Sequence, residues 1–402
     1  AIRHPLELTS TNILIIYGSE IMSHFTVLTA ITLPEGVEDL LSQSSMQMSV
    51  CELVQATRSA DIVNRIKTDT VKAETLRNQL QFENFIETLA GYRLEPYWEN
   101  TEDPRYLVFS DCTEEYRAEY ESDGETLVRL LDGRWVRPFS TAFESIYTLD
   151  EGKIYKRSFG QLHHRKRTKK AKRMKALYMP FKKAYRSFST FAEEYCGLVR
   201  GEEPDSYGFY RNPDTRWDWF QIGGRWPDRF LVKADCPMVH TGEVSLLMQD
   251  YRGRKAPEGY CWVAGARRKD IAWDVMREQR AKAETEYFHK LESWYQNGQI
   301  PDDRRGFLSI TDEGIRSWNA LAYAKGETLE EHLHREGLSQ SYCYPISTFA
   351  CLGDNGWLES GEMGWFGISD NNKDDLSWNQ MVEQFVAALP EDAMLLSVDC
   401  HI

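Results

Sequence analysis

The stretch RWDWFQIGGRWPDRF, residues 216–230, places three tryptophans and two adjacent glycines inside residues 216–226. Glycine pairs weaken both helices and strands, so this backbone must turn, bulge or pass close to something. Read as a strand, it puts Trp217, Trp219 and Gln221 on one face and Asp218, Phe220 and Ile222 on the other. Two uses of the cluster remain open. In the structural one, Gly223 and Gly224 make a turn or bulge, Trp226 packs back on the core, and Arg225 pairs with Asp218 or another carboxylate. In the functional one, the glycines admit a ligand to the backbone and Arg225 meets a phosphate or carboxylate in a pocket lined by Trp217, Trp219 and Trp226. Arg267, Arg268 and Lys269 would add positive charge to that pocket.

The 402 residues are 42% hydrophobic and 12% aromatic, enough for a packed core and against wholesale disorder. No apolar run reaches the roughly 18 residues of a membrane span. NILIIYG at 12–18 is too short and lacks a secretory cleavage pattern. These features predict a soluble protein with no membrane partner. The eight cysteines contain no CxxC pair, so buried free thiols are expected rather than a zinc site. His332 and His334 in EEHLHRE fall on different faces of a helix, and no metal site is expected there.

The net charge of −14 is unevenly spread. Lys153 to Arg186 carries 14 Lys and Arg and no acidic residue, leaving the remainder at −28. Such a block either grips phosphates or is a solvated connector. As a nucleic-acid surface it would use Arg165, Lys166, Arg167, Lys169, Lys170, Lys172, Arg173, Lys182 and Lys183.

Patterning predicts an α+β fold, a mixed or antiparallel sheet core with helical insertions. Residues 1–21 read as an N-terminal extension ahead of Met22. Residues 22–150 read as an α+β region carrying a helical hairpin insert at 37–89. FTVLTAIT is a buried strand in it, and Asp132-Gly133 turns a hairpin. Residues 151–187 read as a basic helical linker. Residues 188–402 read as a second α+β region with a long amphipathic helix at 272–298, a helix ending before Pro390, and the terminal strand AMLLSVDCHI. On that strand Asp399 and His401 share a face and could form an acid/base or metal pair, or a structural one.

Nucleotide-loop, dinucleotide, zincin and serine-hydrolase signatures are absent, and no cofactor is implied. Four stretches nonetheless match a known pattern: MSHFTVLTA (22–30), LEPYWEN (94–100), NPDTRWDWFQIGGRW (212–226), and GEMGWFGIS with LLSVDCHI at the end. They resemble a widespread, functionally uncharacterised family of bacteriophage and prophage proteins. GARRKDIAWD (265–274) is similar to the family's ARKGDIDW stretch, with Arg268-Lys269 in place of Lys-Gly. The family's connection from first strand to PYxEN is short, whereas here about sixty residues intervene. The resemblance implies a phage origin and a common fold, not a reaction. The expectation is an accessory protein of the host cytoplasm that binds and inhibits a host protein, a component of an antiviral defence system. Its inserted helices would be the contact surface. The alternative is a nucleic-acid-binding or nucleic-acid-processing enzyme with Asp218, Arg225, Asp399 and His401 at its site.

Overall fold

A computed structural model describes residues 24–37, 48–58, 70–157, 166–248, 251, 253–317, 321–338, 344–364 and 369–402. The extension at 1–21 and Arg165 lie outside them. The chain divides into two compact units, one of Ala1–Glu99 with Asp214–Ile402 and the other of Asn100–Pro213. The boundaries therefore fall at 99 and 213, not at 150 and 187. A mid-chain segment forms its own cores, and the flanking segments pair with each other.

The fold is α+β. The larger unit is built on a mixed eight-stranded sheet. At its centre the terminal strand Met394–His401 runs antiparallel to His24–Ile31, with His24 opposite His401 and Ile31 opposite Met394. Ala350–Gly353 pairs parallel to the far side of His24–Ile31. The other edge of the terminal strand is shared: Trp219–Gly224 takes the His401 end and Gly265–Arg267 the Met394 end. These β-branched and aliphatic strands are buried on both faces, which is why they read as nearly continuous apolar runs.

One sheet face, with Phe25, Val27, Ile222, Leu396 and Val398, is covered by the helix Thr70–Leu94. Phe82, Ile86, Ala90 and Leu94 recur every four residues along that helix and are fully buried. This corrects the reading of 37–89 as a surface insert. The helix extends to Leu94 and forms one wall of the main core. Within the hairpin, a shorter helix at Val50–Thr57 starts on a Ser49–Glu52 capping box. The opposite face packs Leu28, Ala30 and Leu395 against Trp378, Val382 and Val386 of the helix Asp375–Ala388.

The long helix runs Trp273–Asn297 and ends on Gly298 in the left-handed region, φ 62°. Its Glu284 is buried beside Arg280, near Glu336, which hydrogen-bonds Arg335. Burial pushes the Glu336 carboxyl up to about 7 against Arg335's pull the other way, with Glu284 and Asp375 reinforcing the rise. The folded protein thus holds this proton more tightly than the unfolded chain. Stability from this group is full below the ordinary value of 4.5 and falls as pH rises to about 7. Glu336→Gln should remove that fall. Its unfolding free energy should gain on wild type between about pH 4.5 and 7, by about 3 kcal/mol at most. Denaturant unfolding at both ends of the window measures the gain.

In the smaller unit, Gly124–Arg129 pairs with Trp135–Val136 across the Asp132-Gly133 turn and with Lys175–Pro180 on its other edge. The basic segment is therefore not a helical linker. Among its described residues only Lys169–Arg173 and Phe181–Ala184 are helical, and Lys175–Pro180 is a strand. Ala171, Met174, Phe181 and Tyr185 anchor it in two small cores. Lys166, Arg167, Lys169, Lys170, Lys172, Arg173, Lys182 and Lys183 stay exposed. A short chain of cations can follow a strand when every few residues an apolar side chain dips inward.

Candidate functional site

Register alone brings the site together. Trp219 and His24 both stand opposite His401, on either side of the terminal strand, so the three form a row across three strands. Side chains alternate faces, which puts Asp399 on the same face one pair away. The apolar packing of this face ends at Leu28 and Leu395, and polar groups take over.

Asp399 and His401 share that face as the sequence suggested, but they do not pair with each other. Asp399 Oδ1 accepts from His24 Nδ1 at 2.7 Å and Oδ2 accepts from the Arg225 backbone N–H at 2.9 Å. His401 Nδ1 lies 2.6 Å from Asp218 Oδ1. A carboxylate only accepts, so each imidazole carries its proton on Nδ1 and presents Nε2 as the acceptor. The two rings meet edge to face with centroids 5.0 Å apart, and His24 also lies edge-on to Trp219 at 6.0 Å.

The two pairs differ in burial. Asp399 is fully buried and the His24 side chain 4% exposed. Asp218 and His401 remain 32% and 24% exposed. His24 Nε2 is buried with no hydrogen-bond partner among the described residues, a state that buried polar atoms rarely keep without a role. Cys400, between Asp399 and His401, faces the core, and burial raises its thiol well above the ordinary range. It is no nucleophile.

The Gly223-Gly224 turn folds back over the terminal strand. Both glycines adopt left-handed φ, 90° and 55°. A Cβ on Gly224 would strike the Asp399 side chain, and one on Gly223 would strike the Glu243 carbonyl at 2.7 Å. The glycines thus admit the protein's own strands rather than a ligand. The turn lays Arg225 N–H on Asp399, and Trp226 N–H donates to the Gly223 carbonyl at 2.8 Å. Trp226 is half-buried, its carbonyl accepting from Ser397 Oγ. The Arg225 guanidinium does not pair with Asp218. Burial lowers its affinity for its proton and the nearby Asp399 charge partly restores it. It makes no hydrogen bond or ion pair among the described residues.

Trp217 and Trp219 do not share an environment. The strand begins only at Trp219. Trp217, 4% exposed, stacks on Trp98 at 5.8 Å and donates Nε1 to the Leu94 carbonyl. It is core. Trp219 is 45% exposed. Trp98 Nε1 in turn donates to the Asp218 carbonyl, which ties the LEPYWEN stretch to the base of the site.

Arg267, Arg268 and Lys269 do not join the site. Arg267 stands opposite Met394, at the far end of the strand from His401, roughly 20–25 Å away at about 3.4 Å per residue. It is held by Asp270 at 2.5 Å, and Lys269 pairs with Asp392. Lys269 and Trp273 line a separate cleft of about 510 Å³. Among the described residues no group of three or more His, Cys, Asp and Glu is placed to hold a metal ion, and no helix is long and apolar enough to cross a membrane.

His24 was the member that sequence reasoning missed. A lone histidine at the start of an apolar strand carries no local signal, and only pairing with a strand 375 residues later in the chain gives it a carboxylate. Comparison with protein-family models, with curated proteins and with solved structures returns no match.

Proposed function

We propose that this protein is a nucleic-acid-processing enzyme whose acid–base centre is formed by His401–Asp218 and His24–Asp399. The observation that carries the reading is the pair of carboxylate-oriented imidazoles 5.0 Å apart. His401, partly exposed, is the general base: Asp218 holds Nδ1–H, stabilises the imidazolium and leaves Nε2 to take a proton. His24 is the second imidazole of the centre, and Arg225 supplies positive charge for a developing anion. The exposed cations between Lys166 and Lys183 favour a phosphate-bearing substrate. The test is incubation of the purified chain with single-stranded and duplex RNA and DNA. Wild type should cut at least one of the four. His401→Ala and Asp218→Asn should lower the rate by about 100-fold or more with the melting temperature moved by no more than about a few degrees. No cleavage of any of them would overturn the reading.

A second reading is a bacteriophage accessory protein that binds and inhibits a host defence component in the host cytoplasm. It is favoured by exposed apolar residues on one small sheet of the Asn100–Pro213 unit: Val108, Val199, Phe209 and Tyr210, each more than a third exposed. Expression of the chain would then restore plating of a defence-sensitive phage, Val108→Ser with Tyr210→Ser would abolish the rescue, and His401→Ala would leave it intact. The reverse pattern would favour the enzyme.

A further inference from the structure

We infer that Trp219 and Arg225 form a subsite for one unpaired nucleotide, the base stacking on the indole and the phosphate meeting the guanidinium. The inference rests on the reading of the centre as nucleic-acid-processing, and names the single-stranded form as its substrate class.

Three observations lead to it. Trp219, the first residue of its strand, is 45% exposed, whereas Trp217 just before the strand and Ile222 within it are 4% and 3% exposed. His24 packs against the indole in a T-shaped arrangement, with centroids 6.0 Å apart and planes at 72°. A partly exposed indole can stack on a nucleobase of any identity. Second, Arg225 is half-buried with its guanidinium unengaged among the described residues, and burial already costs it part of its charge preference. The carboxylate that acts on its charge, Asp399, has both oxygens occupied by His24 and the Arg225 backbone. A bound phosphate would neutralise this cation with paired N–H donors. Third, His24 Nε2 is a buried acceptor with no hydrogen-bond partner among the described residues, on a ring that packs edge to face with both Trp219 and His401. A ligand hydroxyl entering between them would satisfy it.

The placement also says which form binds. Trp219 stands in the same cross-strand row as His401, and Arg225 N–H sits on Asp399, one same-face step of about 7 Å along the terminal strand. Base and phosphate would thus flank the proton acceptor. A base in a duplex has both faces stacked and cannot reach the indole, so the strand must be unpaired.

Titration calorimetry with AMP, adenosine, ribose 5-phosphate, a single-stranded oligonucleotide and its duplex tests this. AMP should bind more tightly than adenosine or ribose 5-phosphate, and the single strand more tightly than the duplex. Trp219→Ala should weaken AMP by roughly tenfold or more, and Trp219→Phe should restore most of that loss. Arg225→Gln should weaken AMP but leave adenosine unchanged. Tighter binding of the oligonucleotide than of AMP would assign the subsite to a strand, and equal binding to a free nucleotide. Binding without cleavage would remove the enzyme reading and leave the subsite standing. Cleavage with a KM unaffected by Trp219→Ala, or no AMP binding by a folded wild type, would overturn the subsite.

Discussion

Phe82→Ala should lower the unfolding free energy by about 3–5 kcal/mol, and excising the helix Thr70–Leu94 should leave no cooperative fold. Phe82 is completely buried and belongs to the core cluster that holds Phe25, Val27, Ile222 and Val398 of the central strands. Removing its ring opens a cavity between helix and sheet that neither rigid element can close. The same helix also delivers Glu83, which accepts from the Thr241 N–H and hydroxyl, both at 2.7 Å, and from Gln79 at 2.8 Å. Tyr92→Ala is the control. At 73% exposure on the same helix, it should change stability by no more than about 0.5 kcal/mol. Denaturant unfolding of the two variants decides the matter. A Phe82→Ala loss as small as that of Tyr92→Ala would mean the helix is peripheral after all.

The second large effect separates two aspartates that look alike in sequence. Asp399→Ala should destabilise the protein by about 3–5 kcal/mol, because it strands groups buried for the carboxylate to satisfy. His24 Nδ1 and the Arg225 N–H would both lose their acceptor. Asp218 is a third exposed, and among the described residues its carboxylate binds one partner, His401. Asp218→Asn should cost about 1 kcal/mol or less and yet remove activity by about 100-fold or more, since the imidazole loses the group that sets its tautomer. Thermal melts and cleavage rates measured on both variants check this. Comparable stability losses would sink the assignment of Asp399 as scaffold and Asp218 as working group.

Much of the architecture was legible along the chain. Runs of β-branched and aliphatic residues marked the first and last of the sheet's strands along the chain, because a strand buried on both faces is mostly apolar and carries polar residues only where they find partners. Gly298 and Pro390 marked the ends of two helices, and Asp132-Gly133 marked a hairpin turn. The period of two placed Asp399 and His401 on one face. These are local statements, set by backbone geometry within a few residues.

The basic segment was misread because charge density says where a segment meets water but not what its few apolar residues bury. Ala171, Met174 and Phe181 anchor it, and pairing with Gly124–Arg129 makes part of it a strand. The helix at 70–94 was misread for a similar reason. Its buried residues recur every four positions on a narrow stripe, and a stripe does not say whether it meets a core or a partner.

The centre itself was decided by tertiary structure. Local pattern determined the elements: which stretches pair as strands, which faces are apolar, and that Asp399 and His401 point the same way. It could not determine that His24 takes Asp399 and Asp218 takes His401, that Trp217 is buried while Trp219 is open, or that Gly224 yields space to a carboxylate instead of a ligand. Each of those depends on contacts between residues far apart in the chain, from 123 positions for Trp217 with Leu94 to 375 for His24 with Asp399. Side-chain periodicity is a property of one strand, whereas hydrogen-bond partnership is settled by strand order and register, which form only when the whole sheet closes.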